Sequence, residues 1–303
     1  MQIKTQFSIK DLENLSGVKA HTIRIWEKRY NLLQPERSDT NIRKYDLINL
    51  KKLLNVTFLY NEGYKISKIA GYPEEEINRL ISMESGKHEK DYAIQEFKTA
   101  MFDFDHVLFS RTYDRLMETR DFQDVFFSVF VPLLHDIGIL WQTNTLDPVH
   151  ERFISELIRQ KVIVEIDRLQ GDRTTKTKPD FALYLPHDEI HEIGLLFANY
   201  LILKNGFGSL YLGNNIPIEN LVHITKHHEE LTFLSYMTVK PDNESVKEYA
   251  ARYETLMKDH PGFKLWLMGA KTQMEELNDL PERVSVVGSL NALVQRLGSL
   301  KKS

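Results

Sequence analysis

Apolar positions in this chain first recur at helical spacing. Ile9, Leu12 and Leu15 fall on one face of a segment that Ser8 opens and Gly17 breaks. Ile23 and Trp26 fall on one face of a second segment, Lys19–Tyr30. Pro35 and the polar run Glu36–Asn41 read as a turn between two short strands. Three further helices are predicted: Leu47–Glu62, stopped by Gly63, then Ile66–Ala70 and Pro73–Ser82. The polar stretch Glu84–Asp91 is a linker candidate. Residues 92–170 show no strand-like alternation, and four helices fit: Tyr92–Phe102, Phe104–Glu118, Gln123–Trp141 and Pro148–Leu169. Asp103–Asp105 and Thr143–Asp147 are the breaks, and Pro148 suits the first position of the last helix.

The period changes after the polar, basic run Arg173–Pro179. Short apolar runs then alternate with helices. The predicted strands are Phe181–Leu185, Ser209–Leu212, Thr232–Tyr236, Lys264–Met268 and Val284–Val287. The predicted helices are His191–Asn205, Ile218–His228, Asn243–Asp259, Thr272–Leu277 and Leu290–Leu297. A strand followed each time by a helix argues for a parallel sheet covered on both faces. The expected organisation is therefore multidomain. Residues 1–75 form a winged helix-turn-helix, all-α apart from a small wing, and 76–91 a linker. Residues 92–172 form a four-helix bundle, and 180–303 an α/β, flavodoxin-like parallel sheet.

The net charge of −4 is unevenly spread. Residues 1–80 carry 14 Lys/Arg and 10 Asp/Glu, and the rest 25 and 33. A basic end on an acidic body suits a DNA-binding head on a sensing or assembly body. The chain has no cysteine, which excludes disulfides, thiolate metal sites and cysteine nucleophiles. No secretory leader is visible in Met1–Lys10, and no run was expected to reach the ~20 apolar residues of a membrane span. The expectation is a cytoplasmic protein.

In a helix-turn-helix the second helix lies in the major groove. Lys19, His21, Thr22, Arg24, Lys28 and Arg29 are then the candidates for bases and phosphates. Arg37, Arg43, Lys44 and Tyr45 would line the wing and grip phosphate, which positions the protein without reading sequence. The run Arg24-x-Trp26-Glu27-x-Arg29-Tyr30, then Leu32-Leu33-x-Pro35-x-Arg37, then Arg43-x-Tyr45, resembles the MerR family of winged-helix transcriptional regulators. The resemblance extends to about residue 75 and implies binding to double-stranded operator DNA.

The loop after the first strand of the last domain contains Glu189-x-His191-x-x-Gly194, beside Asp188. A neutral imidazole there could ligate a metal through one nitrogen while a carboxylate fixes its tautomer. Gly194 would admit a bulky planar ligand. This segment is similar to the cobalamin-binding domain, whose usual signature has Asp in place of Glu189. The resemblance implies that His191 is the lower axial cobalt ligand, supported by Glu189 or Asp188. It places Ser235 and Met237, of Ser235-Tyr236-Met237, and Gly269 around the cofactor. It also makes the bundle a cap over the upper face, with Trp141 packing on an upper group and Glu151 hydrogen-bonding it.

Head, bundle and α/β domain in this order resemble the CarH/CarA group of light- and cobalamin-responsive repressors. That resemblance implies adenosylcobalamin or methylcobalamin as cofactor and self-association as a dimer or tetramer. The long coiled-coil helix of many MerR proteins is missing, so assembly is expected from the C-terminal half. The chain departs from the group at Gln142 and Arg152, where the group has histidines. His150 is about 200° around the helix from 152 and is no substitute. The alternative expectation is a cobalamin-like domain that has lost its cofactor and serves assembly or partner binding. No residues are left for a separate catalytic domain, so an enzyme is not expected. His227-His228-Glu229-Glu230 reads as a solvated helix end.

Overall fold

A capping box starts the first helix. The Ser8 hydroxyl accepts from the Asp11 amide (3.2 Å) and the Asp11 carboxylate accepts from the Ser8 amide (2.8 Å), opening α1 (Ile9–Ser16). Gly17, at φ 75°, closes it. The computed structural model describes residues 6–84, 88–143, 145–171 and 179–301. The chain divides into two compact units, Met1–Ile158 and Arg159–Ser303.

In the first unit, α2 (Ala20–Tyr30) turns Ile23 and Trp26 inward, and Trp26 meets the Tyr60 ring edge-on at 5.1 Å. The wing is an antiparallel pair, β1 (Glu36–Arg37) and β2 (Arg43–Lys44). Phe7 and Tyr45 exchange both backbone hydrogen bonds, at 2.7 and 2.9 Å. Asp46 caps α3 (Leu47–Asn61), which buries Leu50, Leu53, Leu54, Val56, Phe58 and Leu59. Then follow α4 (Ile66–Ile69) and α5 (Glu74–Glu84). The bundle comprises α6 (Glu89–Asp103), α7 (His106–Met117), a continuous helical run and α10 (Pro148–Gly171). The continuous run is α8 (Phe122–Val125), one π turn (Phe126–Phe130) and α9 (Val131–Gln142). Phe104 in the left-handed region (φ 53°) and Asp105, accepting from the Val107 and Leu108 amides, make the expected break.

Two expectations need correction here. The linker is shorter than Glu84–Asp91, because α6 begins at Glu89. Glu89 and Asp91 occupy its first turn, where the helix dipole favours acidic side chains. Residues 85–87 of that stretch, like 173–178 of the Arg173–Pro179 linker, lie outside the described residues. Second, Phe122–Gln142 is long and apolar enough to cross a membrane, contrary to expectation. Eight of its apolar residues serve the bundle core, Phe122, Val125, Phe126, Val129, Phe130, Leu133, Ile137 and Leu140 being buried, while Val131, Ile139 and Trp141 are exposed. Phe97 packs on Phe109 at 4.9 Å and on Phe130 at 5.5 Å.

Head and bundle pack into one body. Phe7 meets Phe102 edge-on at 5.4 Å, and Phe58 meets Tyr92 at 5.3 Å. Lys51 pairs with Asp103, and Asn14 Nδ2 donates to the buried Thr145 hydroxyl at 2.9 Å.

The second unit is a five-stranded parallel sheet of β3 (Phe181–Pro186), β4 (Ser209–Ile216), β5 (Leu231–Tyr236), β6 (Phe263–Met268) and β7 (Val284–Val286). The spatial order is β4-β3-β5-β6-β7. Ala182, Tyr184, Phe233, Leu265 and Leu267 form one core with α13 (Val246–Leu256), preceded in the chain by the short α12 (Val222–Thr225). On the other face lies α11 (Ile193–Lys204), buried without interruption from Leu195 to Leu203, and α14 (Leu290–Leu300), whose Arg296 stacks over Trp266 at 4.0 Å. The helices are shorter than predicted, except α14, which runs three residues beyond the predicted Leu297 to Leu300. Ile218–His228 resolves into a 3-10 turn (Ile218–Leu221) and α12, and Thr272–Leu277 is replaced by a 3-10 turn at Ala270–Gln273. α11 starts at Ile193, so His191 belongs to the preceding loop and not to the helix.

Because Phe102 serves both the head and the bundle, Phe102→Ala is expected to cost about 3–5 kcal/mol. Head and bundle should melt together in urea followed by circular dichroism. A separate, earlier head transition in the unsubstituted protein would contradict the shared core.

Candidate DNA-binding surface and cofactor site

On the head, Lys19, His21, Arg24, Lys28 and Arg29 of the α2 segment are exposed, as are Arg37 and Lys44 of the wing. Thr22 and Arg43 are half-buried. Lys19 is partly engaged, 3.4 Å from the Glu13 carboxylate. Tyr45 does not line the wing surface. It is fully buried, and its hydroxyl donates to Glu27 Oε2 at 2.8 Å. Burial, then Glu27, push its phenol well above the usual range. Arg43 Nε donates to Glu27 Oε1 at 2.8 Å. Glu27 was not singled out for this from sequence. It ties the second wing strand to the recognition helix, and its place between the tryptophan and the arginine of the motif was the available signal.

In the second unit the chain leaves β3 and turns at Asp188, which has φ 63°. The next residue, Glu189, is buried although it is a carboxylate. Oε1 accepts from the Ile190 amide (2.9 Å), the His191 amide (3.0 Å) and His191 Nδ1 (2.5 Å). Oε2 accepts from the amides of Thr238 (2.9 Å), Val239 (2.8 Å) and Lys240 (3.0 Å). Burial alone would raise the carboxyl pKa. The His191 hydrogen bond and the backbone amides outweigh it and hold the group well below the usual carboxylate range. An ionised carboxylate only accepts, so Nδ1 carries the proton. In the neutral ring the lone pair is then on Nε2, the nitrogen that can ligate a metal. The His191 side chain is 51% exposed, so the ring is held yet reachable. Of the two carboxylates proposed to support it, Glu189 does so. Asp188 is exposed and faces His187 Nδ1 at 3.1 Å. Glu192, just before α11, accepts from Arg159 Nε and the Tyr211 hydroxyl, both at 2.9 Å, which fixes the far end of the loop.

The other expected cofactor residues are placed less simply. Gly194 does not present open space. A Cβ there would lie 2.5 Å from a Tyr236 ring carbon and 2.9 Å from its hydroxyl, so it is the tyrosine that requires the glycine. Ser235 is buried and in register with Tyr184. Side chains alternate along a strand, so Ser235 faces the α13 side and Tyr236 the α11 side. The residue of Ser235-Tyr236-Met237 that reaches the His191 side is therefore Tyr236. Met237 is buried, and its carbonyl would be 2.2 Å from a Cβ on Gly269, which sits at φ 103°. Gly269 thus lets the loops after β5 and β6 approach. The site fits an axial imidazole; a bulky group beside Gly194 fits only if Tyr236 moves.

In the first unit, Trp141 is 49% exposed and not part of the bundle core. Glu151 is half-buried and accepts from the Ser155 hydroxyl at 2.9 Å. Gln142 and Arg152 are exposed. His150 is buried, stacked on Phe104 at 4.8 Å.

Residues 7–76 match the family described as MerR HTH family regulatory protein, and residues 93–164 match the B12 binding domain. The chain is similar to the HTH-type transcriptional repressor CarH of Myxococcus xanthus, 27% identical over 71% of this chain and 73% of the relative. It is also similar to CarA of the same organism, 24% identical over 69% and 68%. The fold resembles the Methanosarcina barkeri monomethylamine corrinoid protein, with a TM-score of 0.52 and 12% identity over 71% of this chain and all of that one.

Glu189→Gln places an amide NH2 against N–H donors at one end or the other. A cost of about 3 kcal/mol in urea unfolding at neutral pH is expected. The folded carboxyl is held below its ordinary value, so its contribution is complete above the unfolded pKa of about 4.3 and is lost progressively as pH falls from there towards the depressed folded pKa. The gap between the two proteins should therefore close on acidification. A gap unchanged at pH 3 would refute the ionised clamp.

Proposed function

From a MerR-type regulator with a B12 binding domain, homologous to CarH and CarA, we infer a DNA-binding transcriptional repressor whose grip on DNA is modulated by a cobalamin ligated by His191. The observation that carries this reading is the Glu189–His191 pair. A buried, ionised carboxylate fixes the tautomer and orientation of an otherwise accessible imidazole, and that is the arrangement a metal-ligating histidine needs. His191 would hold a bound cobalamin through Nε2, and the cofactor would supply the metal centre for that imidazole to ligate. The backbone donors on Glu189 keep Nε2 directed without help from the ligand.

The head supports the DNA-binding part. Arg24 and Lys28 are exposed on the outer face of α2, and Arg37 and Lys44 on the wing. Glu27 holds wing and helix in one register, so the protein presents them to the duplex as a unit. Arg43 is half-buried with Nε on Glu27, which leaves the rest of its guanidinium to reach phosphate. In this reading the protein acts on operator DNA in the cytoplasm. Self-association, as a dimer or tetramer, raises the effective concentration of a second head. A ligand shifts the equilibrium only by its differential affinity for the two states.

Gln142 and Arg152 set this chain apart, and His150 is turned into the bundle. No second imidazole is therefore assigned beside Trp141. A second reading, assembly without cofactor, is favoured by one observation: the Tyr236 ring fills the approach at Gly194.

Arg24→Ala should weaken operator binding and lower the slope of log affinity against log salt by about one. An unchanged slope in fluorescence-anisotropy titrations would remove Arg24 from the phosphate contacts. After incubation with adenosylcobalamin in the dark and desalting, the protein should retain colour with a shifted visible spectrum, and His191→Ala should lose the shift. A colourless wild-type protein would select the assembly reading.

A further inference from the structure

β3 and β5 are neighbours in the sheet, yet their connections diverge: from β3 the chain passes to edge strand β4, from β5 to β6 on the other side. Such a divergence opens a crevice at the carboxyl ends of the two strands, where open α/β sheets place their ligands. Here the crevice is bounded by the Glu189–His191 loop, by Gly194 at the start of α11, and by Thr238–Lys240, whose amides hold Glu189. Tyr236 is the last residue of β5, on the α11 side, and its ring lies against Gly194. The phenol is largely buried, and burial is the cause of its raised pKa. Nothing polar anchors it: no hydrogen bond to its hydroxyl is found among the described residues.

We propose that Tyr236 is the residue that decides which corrinoids this site accepts, because its ring occupies the space that a tail base beside His191 must enter. The inference rests on the reading of His191 as a cobalt ligand. If His191 takes the place of cobalamin's own nucleotide base on the metal, the displaced base has to be housed elsewhere in the site. That base needs room next to His191, and three residues along the chain the room is taken by Tyr236. Entry of the base requires the ring to swing out. The apparent affinity is then lowered by the fraction of molecules in which the ring is out. A corrinoid without the base carries no such requirement. Tyr236 ends its strand, and among the described residues its hydroxyl gives up no hydrogen bond when the ring moves.

The test uses the full chain with two probes, hydroxocobalamin and cobinamide, the second having the same ring and no nucleotide base. Binding is followed by visible spectra in wild type, Tyr236→Ala, Tyr236→Phe and His191→Ala. Tyr236→Ala should tighten hydroxocobalamin about tenfold and leave cobinamide unchanged; Tyr236→Phe, which keeps the ring, should behave as wild type. Tyr236→Val replaces Tyr236→Ala if the latter does not fold. Equal tightening of both probes, or none, overturns the inference, as does Tyr236→Phe matching Tyr236→Ala. His191-dependent binding that is indifferent to position 236 overturns this inference alone. Failure of both probes to bind any variant overturns the cobalamin reading, and the inference with it. A second measurement needs no corrinoid. Gly194→Ala should lower the melting temperature by several degrees in wild type and have little effect in the Tyr236→Ala background. An equal drop in both backgrounds would show that the ring does not sit against Gly194 and would also overturn the inference.

Discussion

One buried carboxylate organises the second unit. Glu189 sits in the loop after the first strand of the sheet, yet three of its acceptor contacts go to amides in the loop after the next strand over. An unpaired ion would be expelled from such a place at a cost of several kcal/mol. Surrounded by N–H donors, it instead locks two loops to each other and to the His191 ring. The position of the imidazole is therefore set by the sheet rather than by the flexibility of its own loop. Glu192 performs the same service one turn later, through Arg159 and Tyr211.

The head uses the same physics at smaller scale. Glu27 receives Arg43 and Tyr45 from the wing and so fixes it against α2. A wing of two-residue strands could not hold its own geometry, since a short isolated ladder is marginal in water. The backbone pairing of Phe7 with Tyr45 adds to it, and Phe7 in turn packs on Phe102 of the bundle. The recognition surface is thereby continuous, by packed side chains, with the body that carries Trp141 and Glu151. Thr145, in the loop after Trp141, is held by Asn14 of the head. The DNA-binding part and the bundle are thus one mechanical piece, which is the minimum a ligand-modulated regulator requires of them.

Most of the architecture was legible in the sequence because it is carried by local signals. Period and caps gave α1, α2, α6, α7 and α10 to within a few residues, and Pro148 marked the start of the last. The five strands were found because buried parallel strands are short, unbroken apolar runs. The errors have physical causes. The polar residues of Glu84–Asp91 resemble a linker, but acidic side chains are also what a helix N-terminus prefers. The apolar run 122–142 passes the composition test for a membrane span because a helix that crosses the centre of a bundle has nearly the same composition. The short turns after β4 and β6 were overextended because no side-chain cap marks their starts, and α13 was begun too early because the capping box of Ser245 and Glu248 was not used.

The sequence by itself determined which chemistry is present: a basic recognition helix and wing, an imidazole with a carboxylate two residues away, no thiol, and no histidine at 142 or 152. Side-chain type and spacing along the chain are enough for that. Only the tertiary structure decided which groups face which. It turned Tyr45 inward onto Glu27, chose Glu189 over Asp188 as the partner of His191, and pointed Ser235 to one face of the sheet and Tyr236 to the other. It also put a phenol ring where the sequence had left an opening at Gly194. Those outcomes depend on residues 18 to 51 positions apart meeting in space, and no local pattern records the distance between them.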